Sequence, residues 1–161
     1  MMKKTRKIFG INLILLSATV VIGSAVSAYS QIQPDLMISR VSYSKDRSGL
    51  FVDKVQVLVT NACSNSTAAT SYVLLTFKGS AEPDAKAIYY IGNTVKALKG
   101  GESYAQTFDV LEKKIGVGRY IYAEVDPYKK VVEASEDNNW FTVNPYRTAV
   151  RLTQAQCSAK M

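Results

Sequence analysis

Apolar residues recur at every second position through much of the chain. Val55, Val57 and Val59 alternate with Lys54, Gln56 and Thr60. Val73, Leu75 and Phe77 repeat the spacing, as do Ile121, Ala123 and Val125, with Glu124 on the opposite side. A period of two places successive side chains on opposite faces of an extended strand, so each run predicts a half-buried β-strand. Read this way, strands are predicted over 36–41, 52–60, 72–77, 87–91, 103–110, 118–126 and 140–143. In 103–110, Tyr104, Gln106 and Phe108 oppose Ala105, Thr107 and Asp109. Between the strands lie stretches rich in Gly, Pro, Asn, Asp and Ser, the residues that favour turns. No window after residue 28 carries a helical period. Short strands at intervals near ten residues, separated by polar turns, predict an all-β fold, a seven-stranded antiparallel β-sandwich.

The N-terminal segment has a different pattern. Lys3, Lys4, Arg6 and Lys7 precede an almost wholly apolar run from Ile11 to Ile22, and small residues follow to Ala28. Basic, apolar and small-residue regions in that order describe a secretory signal peptide over 1–28, with cleavage after Ala28 and Ala25 or Ser30 as rival sites. The competing reading is an uncleaved anchor over 8–26, which Asn12, Ser17, Gly23 and Ser24 dilute. Cleavage would leave a domain over 29–146, a tail over 147–161 and no integral membrane segment. The expected location is exported, in the periplasm or the medium.

Removing the leader changes the charge argument. The whole chain is +7, but four of its basic residues leave with the leader, so the remainder is +3 with its signs interspersed. That is a soluble surface rather than a nucleic-acid footprint, and nucleic acid is excluded as a partner. The chain has no His, which removes the usual general base and metal ligand. Without His there is no conventional catalytic triad, and the carboxylates fall in one loop rather than across a cleft, so no enzyme is expected. Cys63 and Cys157 are the two cysteines. In an exported protein an even count predicts a disulfide, against the alternative of two buried thiols. It would close a loop of about 95 residues and tie the tail to the domain.

Two groups of residues are candidates for binding. The first is the acidic and amide hairpin with Asp126, Glu133, Glu136, Asp137, Asn138 and Asn139, and with Ser135 among them. Calcium takes six to eight oxygens, roughly what such a loop supplies. The other reading is a structural hairpin whose Asp and Asn side chains satisfy loop backbone, and Lys129 and Lys130 in the same loop oppose a cation. No other cofactor is implied. The second group is aromatic: Tyr89 with Tyr90, and Tyr120 with Tyr122. Exposed tyrosines carry protein interfaces or stack on sugars, but tyrosine is also an ordinary strand residue.

Four features together resemble the CARDB family, the cell-adhesion-related domain of bacterial exported proteins. They are Pro34-Asp35-Leu36, Val59-Thr60-Asn61, Leu98 with Gly101-Glu102-Ser103, and Tyr120 to Asp126 with Glu133, Glu136, Asn138 and Asn139. The likeness spans about 34–144. Cys63 departs from it, standing where the family commonly has Gly. The resemblance implies an immunoglobulin-like form of the sandwich and a non-enzymatic binding role in recognition or assembly at the cell envelope. The expected partner is another envelope or extracellular protein. The alternative is a carbohydrate or cell-wall binding domain that uses the paired tyrosines.

Overall fold

The computed structural model describes residues 32–80, 82 and 84–143. The expected leader, the tail and Cys157 lie outside the described residues. Among the described residues, nine strands run in chain order: β1 (Leu36–Lys45), β2 (Val52–Asn61), β3 (Thr67–Ala68), β4 (Ser71–Lys78), β5 (Ala87–Val95), β6 (Leu98–Lys99), β7 (Ser103–Asp109), β8 (Tyr120–Val125) and β9 (Trp140–Val143). Seven of them build two antiparallel sheets, in the order β1-β2-β7 and β5-β4-β8-β9; β3 and β6 form a small separate ladder. This is the seven-stranded immunoglobulin-like sandwich.

The core lies between the sheets and is made by the alternation seen in the sequence. Val55, Val57 and Val59 from β2 meet Val73, Leu75 and Phe77 from β4 and Ile121, Ala123 and Val125 from β8, all fully buried. Each of the larger side chains contributes roughly 1.5–3 kcal/mol by leaving water. Ile38, Phe108 and Phe141 extend the same cluster.

Several details differ from the sequence reading. β1 runs on to Lys45, four residues beyond its predicted end, with register shifts between Ile38 and Arg40 and between Tyr43 and Lys45. Its second half is half-exposed, so no buried alternation marks it. β5 likewise continues to Val95, where Gly92 and the exposed Asn93 and Thr94 break the apolar pattern before the buried Val95. A short 3-10 helix, Leu111–Lys113, stands between β7 and β8, where no helix is predicted, and ends on Lys114 in the left-handed region. The Gly-Gly turn after β6 has a steric cause. A side chain at Gly100 would strike the Ser64 carbonyl, and Gly101 sits at φ +77°.

Candidate functional site

The acidic hairpin between β8 and β9 is mostly turned inward. Asp126, Glu133, Ser135, Asn138 and Asn139 are buried, Glu136 is half-buried, and Asp137 points to solvent. Each buried group holds backbone or a neighbouring side chain. Asp126 adopts φ +50°, which Asp tolerates better than most residues. Its carboxylate accepts from the Ser71 hydroxyl at 3.0 Å and from the Val131 N–H at 2.7 Å. Glu133 accepts from the Leu36 N–H at 2.6 Å and from the Asn139 amide at 3.3 Å. The Asn138 amide donates to Asp35 at 2.8 Å, and the Ala134 N–H donates to the Pro34 carbonyl at 2.8 Å.

Asn61 completes this arrangement from the end of β2. Its side-chain oxygen accepts from the N–H groups of Asp35 and Cys63, and its amide donates to the carbonyls of Ser66 and Leu98. The four motifs picked out in the sequence are therefore parts of one knot. It clamps the entry to β1 onto the β8–β9 hairpin and the β2 terminus. Buried backbone groups at the open end of a sandwich need such partners, because an unmet one costs about 1–3 kcal/mol.

The knot is electrostatically crowded. Burial pushes the Glu133 carboxyl up to about 8, against the pull of the Leu36 N–H, and Glu136, Asp126 and Asp35 add to the rise. The donor set does not fit a cation cage. The carboxylate oxygens of Asp126 and Glu133 meet N–H and O–H donors rather than converging on a common point. Among the described residues, no group of three or more His, Cys, Asp or Glu side chains is placed to hold a metal ion. The side-chain oxygens of Asn138 and Asn139 are buried without a hydrogen-bond partner; amide oxygens can ligate calcium, but two of them without a carboxylate cluster do not make a cage. Cys63 is fully buried beside Asn61; the bond expected to Cys157 lies outside the described residues.

The predicted aromatics divide. Neighbours on a strand face opposite ways, and Tyr89 turns inward, half-buried against the core with its ring 6.1 Å from Phe77. Tyr90 turns outward and is 69% exposed. The paired Tyr89–Tyr90 platform expected for a glycan does not exist. Tyr90, Tyr120 and Tyr122 instead share the outer face of the four-stranded sheet. Register aligns Tyr90, Thr76, Tyr122 and Thr142 in one row across it, and Gly92, Leu74, Glu124 and Trp140 in the next. A shallow groove of 240 Å³ opens there, lined by Leu74, Thr76, Lys78, Tyr122, Glu124 and Trp140. The Lys78 ammonium lies 4.3 Å from the centre of the Tyr122 ring. Trp140 is 43% exposed.

The outer face of the other sheet is mainly polar. There Arg40, Ser42, Lys54, Gln56, Thr107 and Asp109 alternate with the core residues, with aliphatic Leu58 and Ala105 beside Arg40 and no aromatic ring among them. Trp140 and Leu74 were not among the residues singled out from sequence. The signal for Leu74 was present: β4 reads Tyr-Val-Leu-Leu-Thr-Phe, apolar on both faces. A strand with only one face in a core has no packing reason for that.

The sequence profile of the CARDB family, whose members share this sandwich, matches residues 33–143. The chain belongs to the CARDB family. Solved CARDB-like domains share its fold. One is a domain of a Methanosarcina acetivorans protein assigned to the cell surface. It has 19% identity and a TM-score of 0.54, over 69% of this chain and 89% of that one. Another is the CARDB domain of a Pyrococcus furiosus protein, solved in complex with di-metal ions. It has 21% identity and a TM-score of 0.50, over 70% of this chain and 91% of that one. No curated protein matches the sequence. In this CARDB domain most of the residues that carry the resemblance belong to the knot, while Tyr120, Tyr122 and Glu124 of the same stretch lie on the aromatic face.

Proposed function

We propose that this CARDB domain is an exported, non-enzymatic recognition module of the cell envelope that binds another protein through the outer face of its four-stranded sheet. The observation that carries this is the asymmetry between the two outer faces. One is mainly polar and carries no aromatic ring. The other holds Trp140, Tyr122, Tyr90 and Leu74 in two adjacent rows, with Lys78 and Glu124 at the groove. Aromatic side chains with a few charges around them are typical of the energetic centre of protein interfaces. The similarity to a domain assigned to the cell surface supports the location, as does the leader-like N-terminus.

The experiment is capture of the tagged chain in its own cells after cross-linking. One dominant protein should be recovered with the unaltered chain and lost with Trp140→Ala. Recovery of that protein unchanged with Trp140→Ala and with Tyr122→Ala sinks the reading.

A second reading has one observation in its favour. The exposed Trp140 ring beside Glu124 and Thr76 offers a stacking plane and hydrogen-bond acceptors in a groove about the size of a sugar ring. It predicts retention of the purified domain on cell-wall polysaccharide through Trp140. No retention at any wall concentration removes it.

A further inference from the structure

The two main sheets have four edge strands, and two of them carry the usual safeguards against pairing with another chain. β1 has two register irregularities and exposes Arg40. β7 ends in the exposed Asp109. β9 is described over Trp140–Val143. Bulges, charges and brevity are the common devices that blunt an edge. β5 has none of them over its length. It runs nine residues, Ala87–Val95, without a charge, and its one register shift lies at the very start, opposite Lys78. Ile88 and Tyr90 stand 53% and 69% exposed on it. As the end strand of its sheet it has no strand on its outer side, and the Thr94 N–H is taken by the Asn93 side-chain oxygen at 2.8 Å.

We propose that β5 is a self-association edge, pairing antiparallel with β5 of a second copy across a two-fold axis to give a continuous eight-stranded sheet. The second copy is favoured over an unrelated strand because β5 suits itself. In an antiparallel pair, directly opposed residues share a face. A two-fold axis must then fall on a residue, and the register that uses the whole strand is centred on Ile91. That register sets Ile91 against Ile91, Tyr90 against Gly92 and Ile88 against Thr94, and no position opposes like charges. Gly92 is the one place on the strand with no side chain on the outer face. The Tyr72 ring already lies over it, so close that a Cβ would sit 2.3 Å from that ring. The Tyr90 ring of the second copy would cover the rest of this bare backbone, as aromatic neighbours commonly do for edge glycines. The interface is isologous and closes, so it yields a dimer rather than a fibre. A single strand pair buries less than the roughly 1,200 Å² of a standard interface, so the dimer is weak and concentration-dependent.

The test is sedimentation velocity on the mature chain from micromolar to millimolar concentration, for the unaltered protein, Ile88→Lys and Thr94→Glu. Both substitutions are at exposed positions, and circular dichroism checks that the fold is kept. The unaltered chain should dimerise reversibly, and Ile88→Lys alone should stay monomeric. Mixing Ile88→Lys with Thr94→Glu should restore a heterodimer, because the introduced ammonium of one copy then meets the introduced carboxylate of the other. A chain that remains monomeric to millimolar concentration overturns the proposal. So does a dimer that Ile88→Lys leaves intact, or a mixture that stays monomeric. Trp140 lies on the opposite edge strand of the sheet, so loss of a captured partner on Trp140→Ala and loss of self-association on Ile88→Lys are separate results.

Discussion

Replacing Glu133 by Gln tests the knot most sharply. The carboxyl is 1% exposed and its folded value is pushed up to about 8, from an ordinary value of 4.5. At neutral pH the folded protein therefore holds Glu133 protonated, while the unfolded chain releases the proton above 4.5. Stability from this group is fully present below about pH 4.5. It falls as pH rises through the window up to about 8, and is constant beyond. The interval corresponds to an upper bound of about 5 kcal/mol. Gln keeps the volume, accepts from the Leu36 N–H and does not titrate. A half-turn of the Asn139 amide would also bring its unpartnered oxygen to the new side-chain donor. Urea unfolding at a series of pH values, as the difference between the unaltered chain and Glu133→Gln, isolates the effect. Asp46 is held low by the Ser48 hydroxyl and Glu102 by Lys96; both are common to the two proteins and cancel. The two should be similar near pH 5, and the Gln form should be more stable by several kcal/mol near pH 9. A flat difference between pH 5 and 9, or one that favours the unaltered chain as pH rises, refutes the argument.

The remaining predictions concern other parts of the molecule. Asn61→Ala removes the partner of two N–H groups and two carbonyls, and should cost about 3 kcal/mol or more in urea unfolding. Trp140→Ala, at an exposed position on a short edge strand, should change stability by less than about 1 kcal/mol; a larger loss would make it a packing residue. Millimolar calcium or a chelator should leave the melting temperature unchanged, because the knot carboxylates are already hydrogen-bonded; a calcium-dependent rise would show a cation among them. The mature chain should weigh two hydrogens less than its reduced form, and Cys63→Ser should destabilise it by roughly 4 kcal/mol if the chain-entropy account holds.

The sandwich was legible because its core strands carry one buried face and one wet face. β2 and β8 show this as clean alternation, and β4 alternates in burial although Tyr72 and Leu74 make its outer face apolar too. The second half of β1 did not, since Ser42 and Ser44 give no contrast between faces. The knot was visible only as motifs. Asp35 and Asn138 are partners 103 residues apart and Leu36 and Glu133 are 97 apart, and no local period connects them. The separation of Tyr89 from Tyr90 was available in principle. Phe77 is a core residue of β4, and pairing Tyr89 with it sends Tyr90 outward. Adjacency in sequence suggested a pair where strand geometry divides one. The aromatic face needed the strand order, because Trp140, Tyr122, Leu74 and Tyr90 come from four different strands.

In the function proposed above, recognition belongs to the outer face of the β5-β4-β8-β9 sheet while the buried residues of the knot hold the fold together. A photo-activated cross-linking side chain at Thr142, on that face, can be compared in living cells with one at Gln56, on the polar face of the other sheet. One discrete adduct is expected from position 142, abolished by Trp140→Ala, and none from position 56. Adducts from position 56 alone, or an adduct at 142 that survives Trp140→Ala, would contradict it.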